Sequence, residues 1–184
     1  MRGLHKATAV FCAIGFAAIA GTASAGDPGA PADGVDRLEI EVAGHIPSRC
    51  AMGSIADRNL GGIDGGGMSL RTELALDCNV PFALTFASAN GGLAHTSLPL
   101  GQGPYAGRLG YEMQVDLPIR LPTRQTVSSA FTSNQMRAGA VVSSLNGISD
   151  GPARIRMFFE AASGAGLLAG HYSETVTITL APKT

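Results

Sequence analysis

The sequence predicts an all-β fold, an antiparallel β-sandwich, and three observations carry that prediction. Short stretches in which apolar and polar residues alternate recur from residue 37 onward, the period of a strand with one buried face. Glycine-rich turn signals separate them, 25 of the 184 residues being glycine. No convincing long amphipathic helix interrupts the series, which leaves sheet packed on sheet as the way to bury the apolar faces.

The front of the chain stands apart from this pattern. MRGLHKATAVFCAIGFAAIAGTASAGDP opens with basic Arg2 and Lys6, runs apolar from Ala7 to about Ala20, and offers Ala23-Ser24-Ala25 as a small-residue cleavage site. Residues 1–25 therefore read as a secretory signal peptide. The apolar run is shorter than the roughly 20 residues of a membrane-spanning helix. Phe11 before Cys12 is a poor fit to a lipoprotein processing site, so Cys12 leaves with the signal. Residues 26–36, GDPGAPADGVD, form a flexible leader or donor segment, and residues 37–184 form one domain. The chain carries a net charge of −1, made more negative by loss of Arg2 and Lys6, with no long run of either sign. That excludes nucleic acid and an anionic membrane as expected partners. No second long apolar segment is present to serve as a membrane anchor.

The strands are expected in this order. Arg37–Ile46 turns Leu38, Ile40, Val42 and Ile46 inward, and Ser69–Cys78 turns Leu70, Leu74 and Leu76 inward. Pro81–Ser88 buries Phe82, Leu84 and Phe86; Arg108–Leu117 buries Tyr111, Met113, Val115 and Leu117; Ala153–Glu160 buries Ile155, Met157 and Phe159. In Ser173–Leu180, Val176, Ile178 and Leu180 alternate with Thr175, Thr177 and Thr179. Turns are expected at 61–67, 90–92, 101–107, 146–152 and 163–166. Gln125–Val142 holds an irregular strand pair or a short helix, and periodicity does not decide between them. The last strand is followed only by Ala181, Pro182, Lys183 and Thr184, too few residues to pair its outer edge.

Two cysteines remain after the signal, Cys50 and Cys78, in a chain bound for an oxidising compartment. Continuing the parity of Leu38, Ile40, Val42 and Ile46 reaches Cys50, and continuing that of Leu70, Leu74 and Leu76 reaches Cys78. Both sulfurs then point inward and a disulfide is expected. Two free buried thiols are the alternative; a metal site lacks nearby His or acidic partners.

Nothing in the pattern calls for catalysis or a cofactor. His45, His95 and His171 show no HxH or HExxH spacing, and no GxSxG elbow occurs. The glycine clusters at 61–67 and 101–107 lack a following Lys-Ser/Thr, so they read as turns. Asp57 and Asp64 lie in a loop too flexible by composition to fix an acid and base pair.

LEIEVAGHIPSRC, ALDCNVPFALTFASANGGL, RLGYEMQV, ARIRMFFEA and, most specifically, the Gly-x-Tyr-Ser-Glu-Thr-Val-Thr-Ile-Thr-Leu run at Gly170–Leu180 resemble the spore coat protein U domain and archaic chaperone-usher pilus subunits. The resemblance covers Arg37–Thr184, with no family pattern between Pro118 and Pro152. It implies an immunoglobulin-like antiparallel β-sandwich that is incomplete, its last strand missing and completed by a donor strand. It implies a non-enzymatic structural subunit of an exported surface fibre or coat. Such a subunit passes through the periplasm with a periplasmic chaperone, is assembled at an outer-membrane usher, and joins other pilus subunits by strand exchange at the cell surface. The acceptor groove would lie between Leu38, Ile40, Val42 and Ile46 on one side and Val176, Ile178 and Leu180 on the other, with Lys183 and Thr184 contacting the chaperone. Gly26–Gly34 offers only Ala30 and Ala32 between prolines. Either the donor begins at Val35 and shares residues with the expected first strand, or the subunit accepts without donating. Two further readings stay open: Val127–Val142 supplies the missing strand internally, or the domain is a stand-alone secreted or periplasmic binding module.

Overall fold

The computed structural model describes residues 38–183 apart from Gly66 and Ser163. The signal at 1–25, the leader at 26–36, Arg37 and Thr184 lie outside the described residues. The chain divides into two units, Met1–Ala43 and Gly44–Thr184, and the strands all fall in the second.

The described chain is all-β, built from antiparallel sheets. In order the strands are β1 (Cys50–Met52), β2 (Ser69–Leu74), β3 (Leu76–Cys78), β4 (Phe82–Ser88), β5 (Leu93–His95), β6 (Arg108–Leu109), β7 (Tyr111–Leu121), β8 (Thr123–Thr132), β9 (Ala140–Ser143), β10 (Ile148–Ser149), β11 (Ala153–Phe159), β12 (Tyr172–Ser173) and β13 (Val176–Pro182). A short 3₁₀ turn, Gln135–Ala138, joins β8 to β9. The ambiguous stretch thus contains both alternatives, strands and a helical turn.

β7 organises the largest sheet. It pairs with β8 along Glu112–Leu121 and, on its other edge, with β11 along Tyr111–Asp116 and with β10 at Ile119–Arg120. Pro118 sits in the gap between these last two partners, where a missing N–H costs no ladder bond; its carbonyl accepts the Asp150 N–H at 3.1 Å. β11 pairs in turn with β2. A second sheet runs β13-β4-β9, a third β12-β5-β6, and β1 pairs with β3.

One core joins the two larger sheets. From β4 come Phe82, Leu84 and Phe86; from β7 come Tyr111, Met113, Val115, Leu117 and Ile119; β9 adds Val142 and β11 adds Ile155 and Phe159. The β4 residues and Tyr111 to Leu117 of β7 are the inward sets that alternation predicts; Ile119 and Val142 extend them, and Met157, expected inward on β11, is only partly buried against the core. Met136 of the 3₁₀ turn is fully buried against them.

Arg37–Ile46 is the exception. Residues 38–46 form no strand, and Leu38, Ile40, Val42 and Ile46 are 82, 75, 90 and 84% exposed. Alternation states which side chains share a face, but a strand also needs a neighbour for its backbone, and none of the described sheets includes this segment. The residues just after it are held to β3 and the Asn79 turn. Asn79 Nδ2 donates to the Pro47 carbonyl and Asn79 Oδ1 accepts the Arg49 N–H, while Arg49 and Asp77 form a two-pronged ion pair at 2.8 Å. Hydrogen bonding to Arg49 lowers the Asp77 pKa. Cys50 then stands directly across the β1–β3 ladder from Cys78, and the two form a disulfide.

Glu174 ties the start of β13 to the turn after β4. Its carboxylate accepts the Ser88 hydroxyl and the N–H groups of Asn90, Gly92 and Thr175 at 2.7–3.2 Å. The turn can be reached this closely because Gly91 and Gly92 have φ of 71° and 147°, and a Cβ on Gly92 would lie 2.6 Å from the Leu109 carbonyl oxygen.

Two outcomes are expected in urea unfolding. Replacing both Cys50 and Cys78 by Ser lowers stability by about 3.5 kcal/mol, the loop-closure entropy of a 28-residue separation. Glu174→Ala leaves a hydroxyl and several backbone donors unpaired and costs about 3 kcal/mol.

Candidate functional site

Among the described residues β2 pairs only with β11, and β13 only with β4. Each therefore keeps one edge of backbone groups outside any ladder. Residues of both strands line the same cavity, of about 230 Å³. Leu70 and Thr72 of β2 form one wall and Val176 and Ile178 of β13 the other; Tyr111, Met113, Ile155 and Met157 lie beneath them. The wall residues are only half-buried, whereas Tyr111 and Val115 deeper in the core are fully buried. The cavity is smaller than the roughly 300–1,000 Å³ of a small-molecule site, and its lining combines aliphatic, aromatic and thioether side chains with Asp57, Arg58 and Glu174. Its size suits side chains.

The cavity has a cover from within the chain. Ile55 and Leu60, on the irregular segment between β1 and β2, line it opposite Met157 and Ile178. Leu60 and the neighbouring Ile63 also line an adjoining polar cavity with Leu93 and Tyr172.

Tyr111 is the one buried polar side chain of the site without a partner. Its hydroxyl makes no hydrogen bond among the described residues. Burial pushes its pKa up to about 12, and the Glu174 carboxylate adds to the rise. The nearby Ser88 hydroxyl offsets only part of this, being engaged already by Glu174 and by the Gly91 N–H.

The residues expected to form the acceptor groove divide. Val176 and Ile178 line the cavity, and Leu180 continues the same half-buried row on β13. Leu38, Ile40, Val42 and Ile46 do not line it; the wall opposite β13 is β2. That assignment was unreachable from parity alone, because Leu70 and Leu38 carry the same alternating signal and only pairing separates them. Lys183 Nζ is held by the Ser143 hydroxyl at 2.6 Å and the Leu145 carbonyl at 3.3 Å, and Thr184 lies outside the described residues. Ile55 and Leu60 went unrecognised because they stand among glycines and charges with no periodicity to mark them. The Val127–Val142 region does not fill the slot: β8 pairs with β7 and β9 with β4.

His95 has a structural role. Its Nδ1 accepts the Ser97 and Leu98 N–H groups and its Nε2 lies 3.2 Å from the Ala169 carbonyl, which fits a neutral ring protonated on Nε2. Among the described residues no group of three or more His, Cys, Asp or Glu is placed to hold a metal ion, and no helix is long and apolar enough to cross a membrane.

Tyr111 gives a pH dependence of known sign. Its folded pKa lies above the unfolded value near 10, so the folded state holds the proton more tightly, and stability is full below pH 10 and lost as pH rises toward 12. Alkaline unfolding is expected to show a loss of about 2–3 kcal/mol over that interval, absent in Tyr111→Phe, which is as stable as the parent or more so at pH 7.

Compared with the models of known protein families and with curated proteins, the chain matches none.

Proposed function

We propose that this chain is a non-enzymatic structural subunit of an exported surface fibre or coat. In this reading the fold is an immunoglobulin-like sandwich one strand short, handled in transit by a periplasmic chaperone and an outer-membrane usher and completed by a strand from another subunit. The observation that carries the proposal is the pair of strands with an unpaired edge, β2 and β13, lining one slot. The donor is the segment just ahead of the disulfide. Leu38, Ile40, Val42 and Ile46 are aliphatic, solvent-exposed and of one parity, interrupted by Gly44, the arrangement that serves a strand adding to a sheet edge in another molecule. Of the two readings left by the leader, the proposal adopts a donor that begins near Val35. The resemblance of Gly170–Leu180 and Cys78–Gly92 to pilus subunits supports the same reading.

The energetics favour such an insertion. Burying four aliphatic side chains is worth roughly 6–12 kcal/mol as an upper bound, and the backbone ladders on either side add directionality. Glu39 and Glu41, on the alternate face of the donor, would stay at the surface, where charge discourages indiscriminate edge pairing.

The test uses a chain carrying Ile40→Asp and Val42→Asp, which accepts a strand but cannot supply one. A synthetic peptide of residues 35–47 in excess is expected to bind one to one and raise Tm by more than about 10 °C, at 2–4 °C per kcal/mol for a domain of this size. The same peptide with Ile40→Asp has no effect. A variant that unfolds cooperatively at one temperature with or without peptide is instead a stand-alone secreted module.

A further inference from the structure

Resting on that reading, we infer that Ile55–Ile63 is a resident occupant of the slot, seated by Ile55 and Leu60 until a complementing strand displaces it. The segment has the side chains of an occupant without the backbone of one. Ile55 and Leu60 line the slot, with Leu70, Val176 and Ile178 as its walls, and Ile63 packs against the same core. Yet Ile55–Ile63 belongs to no strand, so the free edges of β2 and β13 stay unpaired beneath it. Among the described residues its own hydrogen bonding reduces to the Gly61 N–H on Asn59 Oδ1 at 2.9 Å, a contact within the segment. Asp57 and Arg58 are exposed, and neither forms an ion pair among the described residues.

Its exit is built in on one side. Gly61 has φ of 69°, and a Cβ there would touch nothing within 4 Å; Gly65 is equally open. Glycines in open space let the backbone turn without breaking packing. On the other side the segment is fixed, since the Gly53 N–H donates to the Ala75 carbonyl at 2.9 Å beside the disulfide-clasped β1. The segment is therefore hinged at its glycine end and anchored at its cysteine end.

The competition has a clear winner. The resident brings two large aliphatic side chains to the slot, with Ala56, Asp57 and Arg58 beside them, and pairs no backbone, whereas an entering strand places about twice as many large aliphatics and pairs both edges. The resident shields the slot from water and from indiscriminate edge pairing, yet it holds too little to refuse a matched strand. Its departure is a step that entry requires, so weakening its seat speeds entry.

The experiment measures uptake of a fluorescent peptide of residues 35–47 by the full chain bearing Ile40→Asp and Val42→Asp. Ile55→Ser and Leu60→Ser, singly, are expected to raise the association rate about tenfold or more. A second measurement needs no change in the segment: limited trypsin cleavage after Arg58 is expected to accelerate at least tenfold once peptide is bound, because the displaced segment is then free to enter the protease. Peptide that binds at rates indifferent to Ile55 and Leu60, with Arg58 cleavage unchanged by binding, overturns the resident segment while leaving strand donation standing. Peptide that fails to bind every form overturns strand donation itself.

Discussion

An open strand edge above an apolar core is the constraint on which this structure turns. A backbone N–H or C=O at the surface can be satisfied by water, but the aliphatic side chains alternating with it cannot. β2 and β13 face this conflict together, because each keeps an unpaired edge and their residues Leu70, Thr72, Val176 and Ile178 line the same cavity. An ordinary edge is blunted by charge or by a bulge. Here the outward residues of β13 are Thr177 and Thr179, uncharged and short, which leaves the edge accessible to another backbone.

The architecture around the slot keeps that edge from wandering. β13 pairs with β4 from Val176 opposite Ser88 to Pro182 opposite Phe82, and Glu174 fastens its entrance through four donors on Ser88, Asn90, Gly92 and Thr175. Tyr172 adds a second anchor, its hydroxyl 2.7 Å from the Leu168 carbonyl and 3.1 Å from that of Ala106. The most distinctive run in the sequence, Gly170–Leu180, and the NGG turn at 90–92 therefore meet in space. Together they hold one edge of the slot in place.

Much of this was legible from residue order, and the part that was not has a physical explanation. Alternation identified the inward faces of β4, β7 and β11 because each is paired on the sheet and buried on one side, so side-chain chemistry and backbone geometry agree there. Parity also carried Leu70 through Leu74 and Leu76 to Cys78, across the interruption at Ala75 between β2 and β3. The same signal in Leu38, Ile40 and Val42 misled, since an alternating segment outside every described sheet looks identical in sequence to one that is paired. Ile55 and Leu60 were invisible for the opposite reason: they pack without any period. Periodicity reports a face, and the identity of the neighbour has to come from coordinates.

The sulfur bridge has a mechanical consequence in a fibre joined by such strands. Tension applied to residues 38–46 reaches the domain at Cys50 and can cross directly to Cys78, which leads within a few residues to β4 and, through its ladder, to β13. Residues 51–77, including Ile55–Ile63, lie outside that covalent path, with β2 among them held by its own ladder to β11. In a fibre so joined, a pull would travel from one joint to a wall of the next without loading Ile55–Ile63.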